Sequence, residues 1–147
     1  MNACEIRPAL ESESAQISGL IKLVGINPMG LDWRRFTVAV EQDGRVVACG
    51  QVKPHGENIR ELASIAVHPE YRGRGLARGV IEALLAKAPA PLYLMCMSHN
   101  EAMYEKFGFR RMAVGQMPRY FARIKRLFDL AKVFRKPDGE LLVMKLE

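Results

Sequence analysis

The chain has no long apolar run. Its most hydrophobic stretches, such as Ser64-Ile65-Ala66-Val67 and Ala83-Leu84-Leu85-Ala86, fall far short of the roughly 20 residues a helix needs to cross a bilayer, so no membrane span is expected. The opening Met1-Asn2-Ala3-Cys4-Glu5-Ile6-Arg7 lacks the basic-then-apolar order of a secretory signal. Cysteine is scarce: Cys4, Cys49 and Cys96 are odd in number, far apart and without CxxC spacing. That argues against a disulfide framework and reads as reduced thiols in a cytoplasmic protein. His55, His68 and His99 are scattered and share no ligand spacing with the cysteines, so no metal site is expected. Internal repeats and low-complexity segments are missing as well.

What is present fits one soluble domain. A chain of 147 residues can hold a single substantial core and is too short for two ordinary ones. The net charge of +6 is unevenly placed. Arg72, Arg74 and Arg78 crowd one glycine turn, and Arg119, Arg123, Lys125, Arg126, Lys132, Arg135 and Lys136 crowd the C-terminal third. A phosphorylated ligand, an acidic partner or nucleic acid could each meet such a field, and a solvated helix face explains the second cluster equally well. Nucleic acid is the weakest of these, because that basic segment has an apolar side to bury and lacks stacking platforms.

The pattern of elements is mixed α/β. Ala3 to Arg7 alternates like a strand, and Ile17, Leu20, Ile21 and Val24 recur at helical spacing, with Ser12 or Ser14 as cap and Gly25 as stop. Phe36 to Glu41 and Arg45 to Val52 read as strands joined by a Gln42-Asp43-Gly44 turn, and Ile59 to Val67 as the third of a meander. A helix is expected from Gly75 to Lys87 and a fully buried strand from Leu92 to Met97. Ser98 and Glu101 have capping-box spacing for a helix ending at Gly108. A strand from Phe109 to Val114 follows, then a basic amphipathic helix at about 118–136 with Phe121, Ile124, Leu127, Phe128 and Ala131 on its apolar side. An Asp138-Gly139 turn leads into a closing strand, Glu140 to Leu146.

The most informative stretch is Val67-His68-Pro69-Glu70-Tyr71-Arg72-Gly73-Arg74-Gly75-Leu76-Ala77. It reads as a strand, a basic glycine turn and a helix start. Unpaired N–H groups at a helix N-terminus, with the positive dipole end behind them, suit an anion. Glycines there let a phosphate approach the main chain, which points to a pyrophosphate-bearing ligand.

The order of elements, with Arg72, Gly75 and Ala77 filling the pattern Gln/Arg-x-x-Gly-x-Gly/Ala, resembles the GNAT N-acetyltransferase superfamily. Val67-His68-Pro69-Glu70-Tyr71 before it and Tyr104-Glu105-Lys106-Phe107-Gly108-Phe109 after it look like the same family. The resemblance covers Ile6 to Phe109 and weakens from Ala113, where the basic helix exceeds what a minimal member needs. It implies a single N-acetyltransferase domain over 1–147, with a mostly antiparallel sheet, flanking helices and a splayed central strand pair. It also implies acetyl-CoA as co-substrate and an amine acceptor. Main-chain groups of Ala66 and Val67 would pair with the pantetheine arm, and Arg72, Gly73, Arg74, Gly75, Leu76 and Ala77 would hold the pyrophosphate. Dimers are common among relatives, so a homodimer is compatible with this reading.

Acetyl transfer needs a neutral amine, a stabilised carbonyl oxygen and a proton for the leaving thiolate. The resemblance makes Tyr104 the proton donor to sulfur, with aromatic packing as the alternative. It makes Glu61 the base that deprotonates the amine, with an exposed glutamate paired to Arg60 or Lys53 as the alternative. Strand alternation would put Glu61, Ala63, Ile65 and Val67 on one face. His55 and Glu57 could border the acceptor site, as could Trp33 and Phe36 beside Arg34 and Arg35; solvation or packing is the competing reading for each. One departure matters: two turns before Tyr104, where relatives carry a cofactor-contacting asparagine, this chain has Met97. The competing function is a non-catalytic acyl-CoA-binding regulatory domain of the same fold.

Overall fold

In the computed structural model, residues 4–56, 58–132 and 139–147 are described. Strands β1 (Glu5–Pro8), β2 (Phe36–Val40), β3 (Val46–Pro54), β4 (Arg60–Val67), β5 (Leu92–Met97), β6 (Arg110–Arg111) and β7 (Leu141–Leu146) are bonded in the order β1-β2-β3-β4-β5-β7-β6. Helices α1 (Ser14–Val24), α2 (Leu76–Lys87), α3 (Glu101–Glu105) and α4 (Arg119–Ala131) complete the α/β architecture. The chain divides into two compact units, one of Met1–Lys53 and Leu62–Pro89, the other of Pro54–Glu61 and Ala90–Glu147.

The first unit contains the β2–β3 hairpin of the expected meander, with β1 added beside β2. β1 pairs antiparallel with β2, and β2 with β3. Pro8 is tolerated because β1 lies at the end of the strand order. The turn between β2 and β3 closes as the Asp-Gly signal predicts: the Asp43 carboxylate accepts from the Arg45 N–H at 2.9 Å, and Gly44 has φ +90°. Ile17, Leu20 and Ile21 of α1 pack with Phe36, Val38 and Val40 into one core. Beside α2, any Cβ on Gly50 would lie 2.5 Å from Ile65 Cδ1 and 3.0 Å from Val80 Cγ1, so a glycine is what lets these side chains close over β3.

Helix α1 stops at Gly25, left-handed at φ +78°, as its spacing predicts. Its start differs. Neither Ser12 nor Ser14 caps it; Glu13 occupies the N-cap position after a short 3₁₀ turn. The Glu13 carboxylate instead accepts from the Leu10 N–H at 2.8 Å and from Arg7 at 2.9 and 2.7 Å. A charged acceptor gathering three donors outcompetes a serine hydroxyl. The Arg7 hydrogen bonds hold the Glu13 carboxyl below its ordinary range. This depressed value adds stability that is full above the unfolded carboxyl range near ~4.3 and is lost as pH falls through the lower folded value. Glu13→Gln is expected to cost about 1–3 kcal/mol at neutral pH in chemical denaturation, and the cost should vanish in acid.

In the second unit β5 pairs antiparallel with β7 along its whole length, Leu92 opposite Leu146 and Met97 opposite Leu141. Glu61, at the start of β4, sits parallel to β5 opposite Tyr93. Tyr93, Met117, Phe121 and Val143 form the core. The strand expected over Phe109 to Val114 shrinks to Arg110–Arg111, and a 3₁₀ turn at Val114–Gln116 follows.

Three local expectations are corrected. Ser98 and Glu101 do not form a capping box. The Ser98 hydroxyl accepts from the Glu140 N–H at 3.1 Å, while Glu101 takes two hydrogen bonds from Arg111 at 2.9 and 2.8 Å. Both side chains are thus committed to tertiary partners, and α3 is a five-residue helix after a 3₁₀ turn at Ser98–Asn100. In α4, Leu127 is 61% exposed, whereas Lys125 is 7% exposed. Lys125 lies inward because Asp129 and Glu140 meet its ammonium at 3.1 and 3.5 Å. The expected extension of this helix to 136, with Arg135, Lys136 and Asp138, lies outside the described residues.

Candidate active site

In the first unit, β4 ends with buried Ala66 and half-buried Val67 and runs into the glycine turn. The His68 ring nitrogen accepts from the Glu70 N–H at 3.1 Å, which starts a single 3₁₀ turn at Pro69–Tyr71. Arg72, Gly73, Arg74 and Gly75 follow, all exposed, and α2 begins at Leu76. Gly73 and Gly75 both lie in the left-handed region, at φ +79° and +77°. A Cβ on either would meet nothing within 4 Å. These glycines therefore serve the bend and an approach from outside, not internal packing. Among the described residues, the main-chain N–H groups of Arg72 through Ala77 meet no acceptor. Exposed free donors ahead of a 12-residue helix suit a diphosphate.

The basic side chains are unequal. The Arg74 guanidinium lies 4.7 Å over the Tyr71 ring and donates to the Glu70 carbonyl at 3.3 Å, while Arg78 pairs with Glu82 at 2.8 Å. Arg72 is exposed at the head of the bend.

Inside β4 the expected alternation is interrupted. Ser64 has φ +60°, unusual for a residue with a side chain, so the regular two-residue rhythm from Glu61 to Val67 does not persist. Gln51, fully buried, donates to the Ser64 hydroxyl at 2.9 Å, and Cys49 Sγ donates to the Ser64 carbonyl at 3.6 Å.

The second unit holds both proposed acid–base residues. Tyr104, on α3, is 8% exposed and packs edge-on to Phe109 at 6.2 Å. Burial, and secondly the nearby Cys96, push its phenol up to about 12. Tyr104 therefore keeps its proton throughout the neutral range. Glu61 is 5% exposed, which rules out the solvated-glutamate alternative. Its partner is neither Arg60 nor Lys53 among the contacts seen, but His55, whose Nε2 lies 2.7 Å from Glu61 Oε1.

His55 is the residue sequence reasoning undervalued. Its turn position suggested solvation, yet the ring stacks on Tyr120 with centroids 3.9 Å apart and meets Phe121 edge-on at 5.9 Å. No local pattern pairs a turn with a helix near the other end of the chain, and Tyr120 was not singled out for that reason. Glu57 lies outside the described residues. Trp33 and Phe36 border a cavity of about 360 Å³ in the first unit, lined also by Ser14, Ile17, Ser18 and Leu31. His99 is exposed in its 3₁₀ turn.

Burial pushes the Cys49 thiol up to about 12 and the Cys96 thiol up to about 11. Thiolate is the reactive form, so both should resist alkylation in the folded protein and react only after denaturation. Among the described residues, no group of three or more His, Cys, Asp or Glu could hold a metal, and no helix is long and apolar enough to cross a membrane.

Comparison with known proteins is consistent with this geometry. A family model described as the acetyltransferase (GNAT) family matches residues 7–109. An amino-acid acetyltransferase from Vibrio cholerae is 32% identical over 88 residues, covering 57% of this chain and 20% of that protein. One from Pseudomonas putida is 26% identical over 144 residues, covering 86% of this chain and 33% of that protein. The chain thus spans only a fifth to a third of the length of these relatives. N-acetylglutamate synthase from Neisseria gonorrhoeae, complexed with coenzyme A and N-acetyl-glutamate, superposes with a TM-score of 0.72 at 18% identity, over 98% of this chain and 35% of that one. Rv2747 from Mycobacterium tuberculosis, in complex with CoA and NLQ, gives 0.73 at 20% identity over 97% of this chain and 98% of that one.

Proposed function

The chain belongs to the acetyltransferase (GNAT) family, and from that premise we propose that residues 1–147 are one acetyl-CoA-dependent N-acetyltransferase domain acting on the primary amine of an amino acid. The observation that carries the reading is the exposed bend from Arg72 to Gly75, with two left-handed glycines ahead of α2 and main-chain N–H groups that meet no backbone acceptor among the described residues. Those donors would hold the pyrophosphate of acetyl-CoA, and the main chain of Ala66 and Val67 would bond the pantetheine amides as an added strand does. The amino-acid acceptor is supported by the names of the relatives.

The chemistry assigned to the second unit follows from protonation states. An ammonium cannot attack a thioester, so one proton leaves first, to the Glu61 carboxylate. The neutral nitrogen then bonds to the acetyl carbon and the carbon–sulfur bond breaks. Full transfer from a phenol at about 12 to a thiolate whose thiol titrates near ~8.5 is uphill by about 5 kcal/mol. Tyr104 therefore gives its proton to sulfur only as the new amide nitrogen returns one to the phenolic oxygen. The sum is amide, free thiol and one proton released by way of Glu61.

The test is release of coenzyme A thiol from acetyl-CoA in the presence of each member of an amino-acid panel. Turnover with one or more of them supports the reading. Coenzyme A binding without turnover would favour the non-catalytic acyl-CoA-binding alternative. Tyr104→Phe is expected to lower turnover more than tenfold while leaving acetyl-CoA affinity nearly unchanged; equal turnover would remove the tyrosine's role. Cytoplasmic placement is part of the reading, supported by free cysteines, two of them buried. Assembly as a homodimer is tested by sedimentation at micromolar protein.

A further inference from the structure

We infer that His55 acts together with Glu61, and that this pair, not the carboxylate alone, takes up and holds the proton drawn from the acceptor amine. The inference rests on Glu61 being the base proposed above; it adds a residue and a proton-holding step that the family resemblance does not supply.

The geometry is specific. A carboxylate can only accept, so a 2.7 Å contact with an imidazole nitrogen requires the Nε2 proton to lie between them. That assigns the neutral imidazole to the Nε2–H tautomer and leaves Nδ1 as the vacant basic position. The two side chains are 15% and 7% exposed, dry enough for the contact to persist and open enough for a proton to leave. Tyr120 stacks against one face of the ring, and Phe121, itself stacked on Tyr93 at 5.4 Å, closes on its edge. The ring plane is thereby fixed from α4. A further anchor is the His55 N–H, which donates to the Ile59 carbonyl at 2.8 Å.

Among the described residues, the titratable groups facing the ring are Glu61 from β4 and the Tyr120 phenol from α4, with Tyr93 of β5 opposite Glu61 in register. Burial and the Glu61 charge both raise the Tyr120 phenol, so it stays neutral. The proton count is one in and one out. Before transfer the pair is a neutral imidazole donating Nε2–H to a carboxylate; because Nε2 already carries a proton, the amine proton passes to Nδ1 through water, leaving an imidazolium–carboxylate pair. Bulk water then removes it. A protonated pair is neutral overall, which makes it a less costly buried state than a lone imidazolium.

His55→Gln tests the idea, because the amide still donates to Glu61 but cannot take a proton. If the pair is the base, the acid limb of the kcat/KM profile should move to lower pH in the variant. Turnover at neutral pH should fall about tenfold or more. A folded His55→Gln enzyme with an unmoved acid limb overturns the inference. His55→Ala supplies the second arm: added imidazole should restore turnover, and no rescue in a protein that still melts cooperatively would count against a proton-holding role. Wild-type protein that releases no thiol with any amino acid would instead overturn the acetyltransferase reading, and that outcome is distinct from both.

Discussion

Gly75→Glu is expected to weaken coenzyme A binding at least hundredfold, about 2.7 kcal/mol. Two effects combine. Gly75 has φ +77°, where a residue with a side chain costs about 1–2 kcal/mol, so the bend would be strained or rearranged. The new carboxylate would also stand among the N–H donors proposed for the pyrophosphate and repel it. Because a Cβ at this position meets nothing within 4 Å, the fold itself has room for the substitution. Calorimetric titration with coenzyme A measures the loss, and a melting curve reports the fold. Gly75→Asn separates the contributions, since asparagine adopts the left-handed region comparatively readily and brings no charge. It should bind far better than the glutamate variant. Equal affinity of Gly75→Glu and wild type would remove the bend from the binding site.

Glu61→Gln is expected to lower kcat at neutral pH by a hundredfold or more. The substitution keeps the shape and a hydrogen-bonding oxygen for His55 but removes the charge on which the proposed uptake of the ammonium proton depends. The KM for acetyl-CoA should change little, because the diphosphate donors proposed above belong to other residues. The loss should also shrink as pH rises. An α-amino group titrates near ~8, so in alkaline buffer the acceptor arrives already neutral and needs no base. Steady-state rates from pH 6 to 10 check this. A deficit that stayed constant over the whole range would mean that Glu61 shapes the site without taking a proton.

Much of the fold was legible because its signals are local. The Asp43-Gly44 turn, the Gly25 stop, the apolar run of β5 and the bend at Gly73 and Gly75 each need only neighbours in the chain to take their observed form. The misreadings share the opposite property. Ser98 and Glu101 have the spacing of a cap, yet Glu140 and Arg111 claim their side chains. Lys125 lies inward because Glu140, from outside the helix, joins Asp129 one turn along in meeting its ammonium, and Leu127, on the other side of α4, faces outward. Ser64 reads as an ordinary strand residue, and nothing in β4 announces that Gln51 will hold it at positive φ. The candidate site divides in the same way. The glycine bend proposed for the diphosphate was readable from composition and spacing, while the contacts of His55 form only when β4 and α4 bring Glu61 and Tyr120 to it.

The arginine stack beside the bend has its own consequence. Tyr71 carries the Arg74 guanidinium over its ring, and Arg45 contacts the same ring and donates to its hydroxyl, so two cations meet one aromatic plate at the root of the loop. A segment clamped in this way already has its final outline before any nucleotide arrives. Little configurational freedom is left to surrender on capture, so encounter should proceed as rigid docking, without a slow folding-over phase. Clipping the ring with Tyr71→Leu should therefore show first as slower association in stopped-flow traces, ahead of any change in how the captured nucleotide is held.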